Sequence, residues 1–161
     1  MRVDIIPNQI IIHHTKTPLI IRLILAMVLF AFAVAPLIIT YFVLARGNGL
    51  HIGIFISIAV FWGIGINLFR VVLWNSFGKE IFTLEENGIG YVADYKYFKD
   101  GKIKLIPYNL QFETIPEEAK SSKLGRLKVF NDFNEIESVL KVKLSDIDKI
   151  KRAIKTRYNK K

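Results

Sequence analysis

The stretch LILAMVLFAFAVAPLIITYFVLA at residues 23–45 contains no charged residue. A second stretch, IGIFISIAVFWGIGINLF at residues 52–69, contains none either. A helix of about 18 or more apolar residues can cross the roughly 30 Å hydrocarbon core of a bilayer. A soluble helix rarely stays apolar on every face for that length. The two stretches therefore predict a transmembrane hairpin at residues 18–76, with helices over about 19–45 and 51–75.

The first stretch also shares features with a cleavable signal peptide, because Arg22 precedes it and Ala-x-Ala patterns occur at residues 31–35. The apolar core of a signal peptide is about 7–15 residues long. Here the apolar run continues through Pro36 to Ala45, and a second run follows. The pattern therefore favours a membrane-spanning helix over a cleaved signal.

The distribution of basic residues predicts the orientation of the hairpin. Arg2, Lys16 and Arg22 precede the first run, and further basic residues follow the second, whereas the loop at residues 46–51 has only Arg46. Lys and Arg are enriched on the cytoplasmic side of membrane spans. We therefore expect a multi-pass protein of the inner cell membrane with both termini in the cytoplasm.

The bulk composition restricts the chemistry that the chain can support. It has 161 residues, a formal net charge of +9 and no cysteine. Without cysteine there is no disulfide framework and no thiolate metal site. A basic excess fits anionic lipid, orientation signals or nucleic acid, and in a membrane protein the first two come before the third. We expect no nucleic-acid partner.

The residues outside the hairpin carry strand and turn patterns. Residues 1–17 are rich in β-branched side chains around a Pro7-Asn8 turn, which predicts one or two strands packing on the domain formed by residues 77–161. Asn87-Gly88 and Asp100-Gly101 are typical hairpin turns. Strands are expected at residues 80–84, 89–98, 102–107, 108–115, 126–130 and 138–144.

The last predicted element is a helix over residues 145–158. Ser145 is a favourable N-cap residue, with Asp148 three positions later. Ile147, Ile150 and Ile154 form one apolar stripe at helical spacing, and basic residues cover the other faces. The pattern predicts an amphipathic helix that covers one end or one open face of an antiparallel sheet.

This order of elements resembles the pleckstrin-homology-like (PH-like) domain of small bacterial membrane proteins, including the YcxB-like group. Four segments carry the resemblance: Ile5-Ile6-Pro7-Asn8, the turn at 85–89, Ile106-Pro107-Tyr108 and Leu144-Ser145-Asp146. The resemblance implies a membrane α+β protein in which a two-helix transmembrane hairpin accompanies a PH-like antiparallel β-domain capped by a C-terminal α-helix. It implies that one sheet is built from both sides of the hairpin, and it transfers no functional residue.

The sequence offers little catalytic chemistry. His13 and His14 are adjacent, so on a strand their side chains point to opposite faces and make a poor ligand pair. The acidic pairs Glu85-Glu86 and 117–118 are interpreted as solvated turn and loop residues. We find no nucleophile, phosphate-loop or zinc-protease motif. We therefore expect no enzymatic activity, no cofactor, no metal and no small-molecule substrate.

Two groups of residues are candidates for binding. The basic face of the C-terminal helix is either a solvated surface with cations placed favourably near a helix end or a contact for anionic lipid headgroups. Small residues at four-residue spacing in the spans either pack the hairpin together or accept a partner helix. The basic candidates are Lys149, Lys151, Arg152 and Lys155, and the helix-packing candidates are Ala31, Ala35, Gly53, Ser57, Ala59 and Gly63.

The sequence therefore favours a non-enzymatic integral membrane protein. Its cytoplasmic domain is expected to act as a protein-interaction or assembly module near the inner leaflet. Its partners would be the bilayer and another membrane protein or a second copy of itself. Two alternatives stay open at this point: an immunity or protective protein against a membrane-active toxin, and an anionic-lipid-binding module.

Overall fold

The computed structural model describes residues 2–47, 49–117 and 123–158. The chain divides into two compact units. Residues 16–76 form one unit, which we call the helical hairpin, and residues 1–15 with 77–161 form the other, which we call the β-domain. The protein is thus an α+β chain.

The helical hairpin consists of α1 (Leu19–Ala45) and α2 (Ile52–Phe77). Both helices are long and apolar enough to cross a membrane. Pro36 lies inside α1, and the helix continues through it. The Trp62 indole Nε1 of α2 donates a hydrogen bond of 3.3 Å to the Ala33 carbonyl, in the turn before Pro36. A neighbouring side chain thus reaches the backbone where proline disturbs the helical hydrogen bonds.

The larger sheet of the β-domain joins residues from both sides of the hairpin. It is antiparallel with the order β1-β2-β3-β4-β5. Because β2 pairs with β3, the segment before α1 and the segment after α2 belong to one sheet. Its strands are β1 (Arg2–Ile6), β2 (Gln9–His13), β3 (Lys79–Glu85), β4 (Gly88–Asp94) and β5 (Lys99–Leu105).

The second sheet is also antiparallel, and β7 is its central strand, pairing with β6, β8 and β9. The last helix, α3, follows β9 directly and lies against β7, β9, β6 and β1. The elements are β6 (Gln111–Pro116), β7 (Leu124–Phe130), β8 (Glu135–Glu137), β9 (Val142–Lys143) and α3 (Leu144–Tyr158).

The core of the β-domain lies between the inner faces of these strands and α3. Ile10, Phe82 and Ile89 of the larger sheet are fully buried. The predicted stripe of α3 is confirmed as a core face, because Ile147, Ile150 and Ile154 are all 0% exposed. Burying one such side chain stabilises a fold by about 1.5–3 kcal/mol.

One of the two predicted hairpin turns is confirmed. Asn87-Gly88 connects β3 to β4. A Cβ at Gly88 would lie 2.6 Å from the Leu105 carbonyl oxygen, so the close approach of β5 requires glycine there. In the turn at residues 131–134, the Asn131 Oδ1 accepts hydrogen bonds from the backbone N–H of Phe133 and of Asn134.

The strand predicted over residues 89–98 is wrong in its second half. It ends at Asp94, whose Oδ1 accepts a hydrogen bond of 2.8 Å from the Lys96 N–H. Lys96 has a φ of 80°, and the Tyr95 N–H donates to the Phe98 carbonyl. The chain therefore reverses at 95–98, and the predicted Asp100-Gly101 turn lies inside β5 instead.

The strand predicted over residues 138–144 is also wrong. Residues 135–137 form β8 and residues 142–143 form β9. The segment between them is a turn, in which the buried Ser138 hydroxyl accepts the Leu127 N–H and donates to the Leu140 carbonyl. The strand predicted at 108–115 starts later, as β6 at Gln111, and part of the predicted loop at 116–125 lies outside the described residues.

Candidate functional site

The four basic candidates on α3 all have contacts within the β-domain. Lys149 pairs with Asp146 at 2.9 Å, and Arg152 Nε donates to the Asp148 carbonyl at 3.3 Å. Lys151 donates to the Thr114 hydroxyl at 2.6 Å, and Lys155 lies 5.6 Å from the centre of the Phe112 ring. The structure thus places two of the cations against β6 and two along the helix itself. Lipid contact at these residues stays a prediction.

The small residues of the helical hairpin lie mostly away from the contact between its helices. Ala31, Gly53, Ala59 and Gly63 are exposed, whereas Ala35 and Ser57 are half-buried. Open space surrounds Gly63, within 4 Å of a Cβ built there. The two helices instead meet through Phe32 and Phe61, whose rings are 5.6 Å apart, and through Gly65.

A cleft of about 870 Å³ opens on the β-domain beside β1. One wall comes from the end of β1 and its turn, and another from the last two turns of α3. The β3–β4 turn and Pro107 complete the lining. The lining residues are Ile5, Ile6, Pro7, Leu84, Glu86, Pro107, Ala153, Thr156, Arg157 and Tyr158.

The α3 wall of the cleft is fixed by Tyr158. Its hydroxyl lies 2.7 Å from the Glu85 carbonyl oxygen and 2.9 Å from that of Gly88, both at the β3–β4 turn. Burial raises the pKa of the Tyr158 phenol, so this hydroxyl stays protonated and donates. The end of α3 is therefore tied to the sheet, and the cleft is formed before any ligand enters.

Two opposite charges border the cleft. Arg157 and Glu86 both line it and are exposed. Among the residues that the structure describes, neither side chain forms an ion pair or a hydrogen bond. A guanidinium without a partner beside an apolar surface is a ready binding group for a carboxylate.

In the part of the chain that the structure describes, the first strand presents an unpaired edge beside this cleft. On β2, the Asn8 carbonyl accepts from the Leu84 N–H and the His14 N–H donates to the Gly78 carbonyl, so even-numbered residues bond toward β3. Antiparallel partners alternate in direction, so the odd-numbered residues of β2 bond β1 at Arg2, Asp4 and Ile6. The backbone N–H and C=O groups of Val3 and Ile5 therefore point to the free edge.

A buried carboxylate lies deeper in the β-domain. Glu80 on β3 is 0% exposed. Its Oε1 accepts hydrogen bonds from the Tyr91 hydroxyl at 2.7 Å, the Val139 N–H at 2.5 Å and the Leu140 N–H at 3.3 Å. Within the described residues, its Oε2 is buried without a hydrogen-bond partner. The side chain therefore ties β3 and β4 to the turn between β8 and β9.

Burial dominates the electrostatics of this cluster. It raises the pKa of the Glu80 carboxyl from an ordinary 4.5 to about 7, although the three hydrogen bonds to Oε1 oppose the shift. Burial and the nearby Glu80 also raise the pKa of Tyr91. Because Glu80 is enclosed on all sides, the cluster acts on the fold rather than on a ligand.

Neither the buried Glu80 nor the cleft was predicted from the sequence, although each has a local sequence pattern that indicates it. Glu80, Phe82 and Leu84 share one face of β3 by the two-residue period of a strand. This period predicts that Glu80 lies on the core face. The cleft combines four segments that are distant in the chain. Its one local signal was the pair Ile5-Ile6, two apolar residues in succession where a half-buried strand alternates.

Comparison with known proteins adds no relationship. No protein-family model matches this chain, and no curated protein matches it significantly in sequence.

Proposed function

We propose that this chain is an integral membrane protein in which α1 and α2 cross the bilayer and the β-domain is a non-catalytic interaction module. The observation that carries the proposal is the exposure of apolar side chains along both helices, with Leu19 at 68% and Ile52 at 77%. Each Å² of apolar surface left in water costs about 25 cal/mol. Surrounding the helices with hydrocarbon removes that cost.

The orientation follows from the basic residues. Lys16 and Arg22 lie around the start of α1 and Arg70 lies in the second half of α2, whereas Arg46 stands alone at the opposite end. This bias supports a cytoplasmic location for both ends of the hairpin and for the β-domain. Two antiparallel sheets and a C-terminal helix with a buried stripe support a PH-like fold of the YcxB-like kind, which we retain as part of the proposal.

The interaction role is supported by the open cleft beside β1. It is formed in the chain alone, and its Arg157 has no ion pair or hydrogen bond among the described residues. The partner is another membrane protein or a second copy of this chain. The exposed small residues of the helical hairpin offer a second surface for such a partner, because close approach of helices requires small side chains.

Cysteine labelling tests the topology, since the natural chain has no cysteine. Leu50→Cys places a thiol in the loop between the helices and Phe133→Cys places one in the β-domain, at positions 66% and 78% exposed. We expect a membrane-impermeant maleimide to label residue 50 from outside intact cells and residue 133 only after permeabilisation. Labelling of residue 133 in intact cells would contradict the proposed orientation.

The interaction role is tested by purifying the full chain in mild detergent after cross-linking in cells. We expect a discrete cross-linked species whose yield falls when the β-domain surface or Gly63 is altered. Gly63→Leu changes an exposed small position. Its matched control, Gly65→Leu, changes the contact between α1 and α2. A chain that yields only monomer would argue against an assembly module.

A further inference from the structure

We propose that β1 and the adjoining cleft bind an extended segment of a partner polypeptide, with apolar side chains at alternating positions and a carboxylate that pairs with Arg157. The inference deepens the proposed function, because it rests on the β-domain being an interaction module and specifies the chemistry of its ligand. Three features carry it: a strand edge, an apolar cleft, and Arg157 in the cleft lining, which has no ion pair or hydrogen bond among the described residues.

The strand edge supplies the backbone contacts. An edge strand displays unpaired N–H and C=O groups, and an extended peptide satisfies them by adding one more strand. Natural edges are usually protected by charges or proline. In β1 the charges occupy the first half, where Arg2 bonds Asp4 at 2.8 Å, whereas the half beside the cleft is Ile5-Ile6. This half is therefore the one suited to pairing.

The cleft supplies the side-chain contacts. Alternate residues of an extended chain lie on one face, about 6.6 Å apart, so successive apolar side chains would enter between Ile5 and Ala153. A small apolar molecule would fill the same cleft but leave the Val3 and Ile5 backbone groups unpaired. The strand edge thus favours a polypeptide over a lipid.

The charges supply a chemical preference. Arg157 offers a bidentate partner for a carboxylate, and Glu86 disfavours a second carboxylate next to it. The β-domain as a whole carries 19 Lys and Arg against 14 Asp and Glu. The ligand segment therefore carries a carboxylate where it meets Arg157 and no acidic group where it meets Glu86.

The test uses the full chain in detergent and an array of heptapeptides. Val, Ile, Leu or Phe occupy alternate positions with Thr between them, and each peptide ends in a free carboxylate or an amide. We expect a subset to bind, with the carboxylate form tighter by roughly tenfold. Amide hydrogen exchange at Val3 and Ile5 should slow on binding, because both N–H groups gain a partner.

Paired variants assign the contacts. Ile5→Pro removes an N–H that β2 does not use, and proline is tolerated on an edge strand, so the fold should persist while binding weakens on the order of tenfold or more. Ile5→Ala keeps that N–H and controls for the lost side chain. Arg157→Gln should abolish the preference for the carboxylate, whereas Arg152→Gln, with the same charge change on α3, should preserve it.

Several results would overturn the inference. They are the absence of binding across the whole array, unchanged affinity in Ile5→Pro, and an unchanged carboxylate preference in Arg157→Gln. Binding of a fluorescent fatty acid in the cleft with no peptide binding would assign the cleft to lipid instead. If peptide binding fails while the cross-linked assembly persists, the inference is wrong and the proposed function stands.

Discussion

Two kinds of isoleucine-rich helix occur in this chain, and they place that residue in opposite surroundings. In α3, Ile147, Ile150 and Ile154 repeat at helical spacing and are completely buried by the sheets. In α2, Ile52 and Ile56 are exposed, as are most apolar residues of the same helix. An amphipathic helix buries its apolar face within its own chain, whereas a helix that is apolar on every face needs an apolar environment outside the chain.

The largest effect that separates the two kinds of helix should follow from matched truncations. Ile150→Ala removes a fully buried side chain and should lower the free energy of unfolding of the β-domain by about 2–5 kcal/mol. Ile56→Ala changes an exposed position and should leave the β-domain unaffected. Hydrogen exchange of the strand amides in detergent measures both. Equal effects of the two changes would remove the distinction.

A charge placed in α2 tests whether this helix is surrounded by hydrocarbon. Ile64→Lys places an ammonium in the middle of α2, at a position that is 46% exposed. An ionised side chain at the centre of a span opposes insertion by about 3 kcal/mol. We expect a smaller fraction of the chain to resist alkaline extraction from membranes. Lys at Leu50, in the exposed loop, is the control and should insert normally. Full retention of the Ile64→Lys chain would argue that α2 does not span the bilayer.

How far the sequence predicts each helix depends on how local its signal is. The α3 stripe and the apolar runs repeat within one segment, so periodicity and length were sufficient. The Asp100-Gly101 turn failed because a local dipeptide preference was overridden by β4–β5 pairing and by the Asp94 side chain that turns the chain earlier. The cleft forms where β1 meets α3. Because these two elements are separated by most of the sequence, no local pattern predicts the cleft as a whole.

The core of the β-domain contains a charged exception that titrates, Glu80. Its pKa is about 7 in the folded protein and near 4.5 when unfolded. Between those values the folded state binds more protons than the unfolded state. The contribution of Glu80 to stability is therefore fully present below pH 4.5 and falls as the pH rises toward 7. One pKa unit corresponds to 1.36 kcal/mol, so the full loss is on the order of 3 kcal/mol.

Glu80→Gln should remove this pH dependence while keeping an oxygen that accepts the Tyr91, Val139 and Leu140 donors. Urea unfolding of the β-domain in detergent between pH 4.5 and 7.5 measures it. Glu86→Gln, an exposed carboxylate at the β3–β4 turn, is the control and should retain the slope of the natural chain. A natural chain whose stability rises over this range would show that the Glu80 carboxylate is favoured by its hydrogen bonds more than it is penalised by burial.

The smallest expected effect concerns the polar face of α3. Basic residues near an anionic membrane surface contribute about 1 kcal/mol each, and the surface potential decays within roughly 8 Å in physiological salt. If Lys149, Lys151 and Lys155 meet headgroups, their acetylation in nanodiscs should be slower with anionic than with zwitterionic lipid, and high salt should remove the difference. Lys99 on β5 controls for the local reagent concentration. Equal rates in both lipids at low salt would identify this face as a solvated surface, and α3 would then contribute to the protein through its buried stripe and the cleft wall at its end.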